Sequence, residues 1–255
     1  MIVSTDAIVL RSMKYGDTSK IVTLYSRKYG KIRVMAKGAR TSKNKFGASL
    51  EPMVHSSIVI YKKEQRDLHL LSKCEIASPF LGLNDDGGKM AMGLAMIELI
   101  NMVMHDEEEN QPMYTLLLES LSAIDESLKN PENIFFSFEL RLAAIFGYAL
   151  DIGHCARCGR SLIDGSASAG GYILLASGSA VCSDCHRIHR VGGVKVSQKI
   201  LQLLSHLAAA SVRSVPDETI SRPMQEEIIS LLQTYLKYHI EGVRTLRSLS
   251  LFTDV

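Results

Sequence analysis

The segment Gly30-Lys31-Ile32-Arg33-Val34-Met35-Ala36-Lys37-Gly38 decides the reading of the first third of the chain. Ile32, Val34 and Ala36 alternate with Lys31, Arg33, Met35 and Lys37. Successive side chains of a strand point to opposite faces, so one face enters a core while the other carries a positive row. Glycines bound the segment on both sides. A basic loop follows it, Ala39-Arg40-Thr41-Ser42-Lys43-Asn44-Lys45-Phe46-Gly47.

Working outward, the flanking residues repeat this pattern. Residues 5–12, 19–26, 53–62 and 67–76 are short runs rich in Ile, Val, Leu, Thr and Tyr. Tyr15-Gly16-Asp17 and Lys28-Tyr29-Gly30 are the turn signals between the first three. Five strands at this spacing fit a small closed or partly open barrel.

Charge sets this region apart. The 255-residue chain carries only +2 overall, yet residues 1–80 hold 15 Lys and Arg against 6 Asp and Glu. The remaining residues carry the opposite excess. Such a split points to an N-terminal part made for a polyanion and a separate C-terminal part. Hydrophobic residues make up 46% and charged residues 22%, which predicts packed cores rather than disorder. No apolar run approaches the roughly 18 residues that span a membrane. The opening Met1-Ile2-Val3-Ser4-Thr5-Asp6 lacks a secretory signal pattern, so the expected compartment is the cytoplasm.

After Pro79 and the stretch from Gly82 to Gly88 the character changes to helix. Residues 90–104 are apolar nearly all round and should be buried, with methionines 90, 92, 96, 102 and 104 as core filler. Residues 113–128 form a second helix. Asn130-Pro131 starts a third, with Asn as N-cap, and its spacing of Phe135, Phe138, Leu142, Ile145 and Ala149 carries it to about Gly153. Helices over 197–210 and 220–238 close the chain. The tail beyond Gly242, with Arg244, Arg247 and Phe252, has no clear assignment. Asp106-Glu107-Glu108-Glu109 reads as a solvated helix end. The expected domains are 1–80 and 81–255, the second carrying an insert over 154–190.

That insert holds the sharpest local signal. Cys155-Ala156-Arg157-Cys158 and Cys182-Ser183-Asp184-Cys185 are two Cys-x-x-Cys pairs with 23 residues between them, a zinc-ribbon-like pattern. Each tight turn presents two thiolates, and a hairpin brings the pairs around one tetrahedral Zn²⁺. Four thiolates leave no place for an activated water, so the expected role is structural. Arg157, Arg160, Arg187 and Arg190 offset the net charge of such a centre. The haem-attachment spacing of Cys182 to His186 and a thioredoxin-like pair are weaker readings, since each leaves one pair unexplained or lacks a βαβ setting. His154, His186 and His189 read as neighbours of the site, and Cys74 as a core residue.

The basic N-terminal surface is the second candidate site. Lys and Arg neutralise phosphates, which supply most sequence-independent affinity, and aromatic rings stack on single-stranded bases. The candidate cations are Lys14, Lys20, Arg27, Lys31, Arg33, Lys37, Arg40, Lys43, Lys45 and Arg66. Tyr15, Tyr25, Tyr29, Phe46 and Tyr61 are the candidate stacking rings. The chain carries no phosphate-loop, His-Glu-x-x-His or Gly-x-Ser-x-Gly signature, so no enzymatic role is expected.

Taken together, Asp6-Ala7-Ile8-Val9-Leu10, Tyr15-Gly16-Asp17, Ile21-Val22-Thr23-Leu24 and Ala36-Lys37-Gly38-Ala39-Arg40 resemble the N-terminal domain of RecO proteins. Phe138-Glu139-Leu140-Arg141-Leu142, Gly147-Tyr148 and Cys155-x-x-Cys158 follow in the family's order. The resemblance implies an α+β multidomain chain: an N-terminal OB-fold β-barrel, then a helical domain with an inserted four-cysteine, zinc-ribbon-like module. It also implies binding of single- and double-stranded DNA, strand annealing, and recombinase loading with RecR on DNA coated with single-stranded-DNA-binding protein. Arg141 is the residue it suggests for that protein's acidic tail. An RNA-binding OB-fold protein is the alternative.

Overall fold

The computed structural model describes residues 1–62, 66–164, 170–190, 192–215 and 218–249. Five strands close into a barrel: β1 (Ile2–Tyr15), β2 (Ser19–Ser26), β3 (Gly30–Ala36), β4 (His55–Tyr61) and β5 (Leu68–Ser78), in the order β1-β2-β3-β5-β4. All neighbours are antiparallel except β3 and β5, which run parallel with Arg33 opposite Leu68 and Met35 opposite Leu70. This is an OB-fold barrel. Val22, Leu24, Ile32, Val34, Ala36, Ile58 and Ile60 fill its interior. The alternation expected in β3 holds: Ile32, Val34 and Ala36 are buried, while Lys31, Arg33 and Met35 face out. β1 is longer than the 5–12 expected because its first residues pair with β4 and its last with β2.

Helices α1 (Gly87–Val103) and α2 (Gln111–Glu126) belong to the same compact unit as the barrel, as do residues 246–249. Asp86 caps α1 by accepting the Lys89 N–H. Met92, Met96 and Met104 are buried in this unit. Cys74 lies in the barrel core with its thiol toward the Ser49 carbonyl.

The acidic run is not a solvated helix end. Its backbone pairs with the start of β3, where the Glu107 N–H donates to the Lys31 carbonyl at 2.8 Å. Asp106 meets Lys31 at 3.4 Å, and Glu107 takes both Lys62 and His69. Burial opposes ionisation of Glu107, but the hydrogen bonds and charges of Lys62 and His69 outweigh it and lower its pKa. Gly30 makes the close approach workable: its φ is +59°, and a Cβ there would collide with the Glu108 carbonyl oxygen.

Residues 127–245 form the second compact unit. Helix α3 (Pro131–Ile145) packs with α5 (Gln198–Ala209) and α6 (Arg222–His239). Between α3 and α5 lie β6 (Asp151–Cys155), β7 (Gly171–Leu174), β8 (Ser179–Cys182), α4 (Ser183–His189) and β9 (Val194–Val196), with sheet order β6-β8-β7-β9. Helix α3 stops at Ile145, short of the expected Gly153. Gly147 takes φ +87°, its N–H reaches the Ala144 carbonyl, and the Tyr148 N–H reaches the Ala143 carbonyl. This is a Schellman motif, and it turns Ala149 off the helix. Asn130 precedes α3 in a left-handed conformation, and no side-chain cap forms there. Ser197 does cap α5, accepting the Ile200 N–H. Phe252 lies outside the described residues.

Candidate nucleic-acid interface and metal centre

The outer face of β2, β3 and β5 forms a groove of about 540 Å³. Ile21, Met35, Leu68 and Leu70, all half-exposed, make its floor, and Arg33, Lys37, Arg66 and Asp67 stand around it. Strand pairing explains the assembly. Ile21 lies opposite Met35 and Thr23 opposite Arg33 across β2–β3, and parallel pairing adds Leu68 and Leu70 from β5. Arg66 arrives on the β4–β5 connection. OB-folds bind oligonucleotides on the face of strands 2 and 3 with the neighbouring loops, so the groove occupies the position such a ligand takes. Leu68 and Leu70 were not among the expected site residues; the Leu68-His69-Leu70 alternation is the signal that marks them.

The ten candidate cations divide into groups. Arg33, Lys37 and Arg66 converge on the groove, where Arg33 meets Asp67 at 3.5 Å. Lys14 and Lys20 face each other near the ends of β1 and β2, and Lys20 pairs with Glu51 at 2.9 Å. Arg40 docks on the β1–β2 turn by donating to the Gly16 carbonyl at 2.8 Å, and Lys43 follows it exposed in the same loop. Lys45 donates to the Ser72 carbonyl and lies 5.0 Å from the Phe46 ring centroid. Arg27 sits apart, near Asp6 and over the Tyr114 ring. Lys31 is spent internally: it donates to the Asn101 carbonyl at 3.2 Å, and its side chain is 15% exposed.

Burial also sorts the candidate stacking rings. Tyr15 and Tyr61 are exposed, and Tyr29 packs partly against the barrel core. Tyr25 and Phe46 are buried core side chains and offer no ring face to a base. Burial, with the Glu108 charge adding to it, raises the Tyr25 pKa far above that of a free phenol. Among the described residues no Phe or Tyr ring lines the groove, and its one imidazole, His69, is buried.

The four cysteines of the insert converge, with every pair of Sγ atoms within 4.8 Å. None forms a disulfide, and Cys158 and Cys182 Sγ lie 3.9 Å apart. Thiolates on one tetrahedral ion at about 2.3 Å stand roughly 3.8 Å from each other, so the spacing fits. Local backbone prepares the site. The N–H of Cys182 points at Cys155 Sγ, and the N–H of Cys185 at Cys182 Sγ. Burial opposes ionisation of Cys155, but the N–H groups of Cys182, Cys158 and Arg157 and the Cys158 thiol bring it to about 6. Burial and the neighbouring thiols push Cys185 up to about 12. Without a cation, four clustered thiols cannot all ionise; a divalent ion resolves that conflict. Asp184 is paired with both Arg160 and Arg187, so those arginines balance a local carboxylate. His186 stacks on Tyr172 and is not among the converging ligand atoms.

Arg141 is half-buried on α3. Its guanidinium donates to Ser137 Oγ and to the carbonyls of Ala208 and Ala210 at the end of α5. Among the described residues, no helix is long and apolar enough to cross a membrane.

Comparison with known proteins covers nearly the whole chain. Residues 1–80 match the family described as Recombination protein O N terminal, and residues 84–249 match Recombination protein O C terminal. The chain is 29% identical to the DNA repair protein RecO of Chloroherpeton thalassium over 257 residues, covering 100% of this chain and 99% of the relative. It is 30% identical to RecO of Salinibacter ruber, covering 100% and 94%. With RecO of Streptomyces coelicolor the identity is 33%, covering 95% and 96%.

Proposed function

This chain belongs to the RecO family of DNA repair proteins, and from that premise we propose a non-catalytic mediator that binds single- and double-stranded DNA and anneals complementary strands. One observation carries the reading: Arg33, Lys37 and Arg66 meet around an aliphatic floor on the outer face of an OB barrel. Cations at the rim neutralise phosphates, and the floor receives sugar and base edges without ring stacking. Lys14, Lys20, Arg40, Lys43 and Lys45 extend the positive surface around the barrel. Arg27 and Lys31 have local partners that make them weaker contacts. The protein performs no bond-making step in this reading, and its place is in the cytoplasm on nucleoid DNA.

The four thiolates hold a structural Zn²⁺ that fixes β6, β8 and the start of α4 together. The helical unit receives protein partners: RecR, with which the protein loads recombinase, and the acidic tail of single-stranded-DNA-binding protein. Arg141 would meet that tail as a cation already ordered by the α5 carbonyls, which lowers the entropy cost of the contact.

The test is annealing of two complementary oligonucleotides precoated with single-stranded-DNA-binding protein, followed across a salt series. Salt-sensitive acceleration without nucleotide or strand cleavage supports the mediator. Absence of acceleration by folded, zinc-loaded protein, with tighter binding to RNA than to DNA of equal length, assigns the barrel to RNA instead.

A further inference from the structure

The strand register extends the basic groove past its own walls. Directly opposed residues trace one row across the barrel: Met13 on β1, Ile21 on β2, Met35 on β3, Leu70 on β5 and Tyr61 on β4, with Ile2 of β1 beyond it. Opposed residues of neighbouring strands share a face of the sheet. That face is the outer one, because the adjacent positions Val22, Val34, Leu71, Ile60 and Val3 are all buried. The row is apolar or aromatic throughout, yet Ile2 is 64% exposed, Met13 46% and Tyr61 42%. Solvent-facing strand positions are normally polar, so an apolar row there marks a binding surface.

Of this row, Ile21, Met35 and Leu70 line the groove. Met13 continues it past one edge and Tyr61 past the other. Opposed Cβ atoms stand about 5 Å apart, so Tyr61 adjoins Leu70 directly. A second row runs beside the first, two residues along each strand. Arg11 lies opposite Thr23, Thr23 opposite Arg33, and Arg33 opposite Leu68. Arg11, not among the expected cations, is exposed. Two strand residues separate the rows by about 6.8 Å. On the opposite flank, two positions past Met35, stands Lys37, which also lines the groove.

Charge and shape together select the occupant. An unpaired strand carries its phosphates along one line and its bases along another, and each base offers a face to apolar and aromatic side chains. A duplex keeps those faces in its own stack and shows only base edges in its grooves. An apolar peptide would use the first row and leave Arg11 and Arg33 unmatched.

We propose that the two rows form a single-strand track crossing the barrel from β1 to β4, with Tyr61 stacking a base at its far end and setting a preference for unpaired over duplex DNA. This inference rests on the DNA-binding reading and gives the unpaired strand its own part of the barrel, beyond the groove. Four strand gaps of about 4.8 Å make the track about 19 Å long. That is about six stacked nucleotides at roughly 3.4 Å each, within the span of one OB barrel. Duplex DNA meets the cations without the apolar row.

The test compares the full chain with Tyr61→Ala and Tyr61→Phe. Fluorescence anisotropy gives Kd for a single-stranded oligothymidylate and for a duplex of equal length. Tyr61→Ala should weaken single-strand binding about tenfold, the loss of one stacked base, with duplex affinity and the salt slope unchanged. Tyr61→Phe, which keeps the ring, should bind as the natural chain does. A second measurement needs no substitution: an oligothymidylate carrying 5-iodouracil, irradiated on the natural protein, should attach to Tyr61. Equal loss of single-strand and duplex affinity in Tyr61→Ala, or no loss, would overturn the track, as would attachment only elsewhere. A changed oligomeric state in Tyr61→Ala with single-strand affinity intact would assign the row to a second copy instead. If the natural chain binds neither DNA, the DNA-binding reading fails and the track with it; if it binds both and Tyr61 makes no difference, only the track fails.

Discussion

Glu139 on α3 and Gln233 on α6 form a buried acid–amide pair, in which the Gln233 side-chain amide donates to Glu139 Oε1. The other two oxygens, Glu139 Oε2 and Gln233 Oε1, are buried without a hydrogen-bond partner. A proton on the carboxyl removes the buried charge that these surroundings leave uncompensated. Burial pushes the Glu139 pKa up from 4.5 to about 8, with the Gln233 bond pulling the other way.

Stability should therefore follow the protonation of Glu139. The folded state holds the proton more tightly than the unfolded chain. Its contribution is complete below about pH 4.5 and is lost as pH rises from there through about 8. The loss is on the order of a few kcal/mol at most. Urea midpoints across this range should fall for the natural chain. Glu139→Gln, which keeps an oxygen to accept from Gln233 without a titrating proton, should flatten the dependence. An identical slope in the variant would remove Glu139 as its source.

DNA binding should separate the groove cations from the internal one. Replacing Lys37 and Arg66 together with Glu should weaken single-strand binding and reduce the magnitude of its log–log salt slope by about 1.4, as expected for two lost phosphate contacts. Lys31→Met should cost stability, through Asp106 and the Asn101 carbonyl, while leaving that slope unchanged. Fluorescence anisotropy over a salt series reads both effects.

Metal loading should be one ion per chain by elemental analysis. Cys158→Ser should lower it and loosen β6–β9, seen as faster amide exchange over residues 151–196. The salt slope of DNA binding should stay at its natural value if the ion is structural only. A changed slope would bring the insert into the DNA contact.

Gly30→Ala should destabilise the barrel unit. The left-handed conformation alone costs roughly 1–2 kcal/mol, and the clash with the Glu108 carbonyl adds to it. The variant should release the acidic segment from Lys62 and His69, read as a lower melting temperature and faster exchange at residues 106–109.

Arg141→Ala should lower the melting temperature of the helical unit, since the α5 carbonyls lose their donor, at a cost of about 1–3 kcal/mol. Arg141→Lys should restore part of the stability but not the forked geometry. If the acidic tail of single-stranded-DNA-binding protein docks here, its peptide should bind both variants more weakly at temperatures where they remain folded.

Much of this molecule was legible from local pattern. The period-two alternation of β3, the turn glycines and the paired Cys-x-x-Cys motifs each rest on interactions within a few residues, and the fold expected from them is the one found. The third helix shows the limit. Its apolar spacing continued through Ala149, but the Schellman motif at Gly147 ended it, because one left-handed residue redirects the backbone whatever the pattern beyond. The acidic run shows another limit: its solvated appearance in one dimension gave no sign of the lysines and histidine that neutralise it.

By itself, the sequence determined which residues are cations, thiols and core side chains, and which strand face carries charge. Only the tertiary structure decided which of those cations lie together. Parallel pairing of β3 with β5 brought Leu68, Leu70 and Arg66 beside Arg33 and Lys37. The return of residues 106–109 took Lys31 out of the same positive set. Both outcomes depend on long-range closure. A charge's partner is set by distance in space, and no local period encodes that distance.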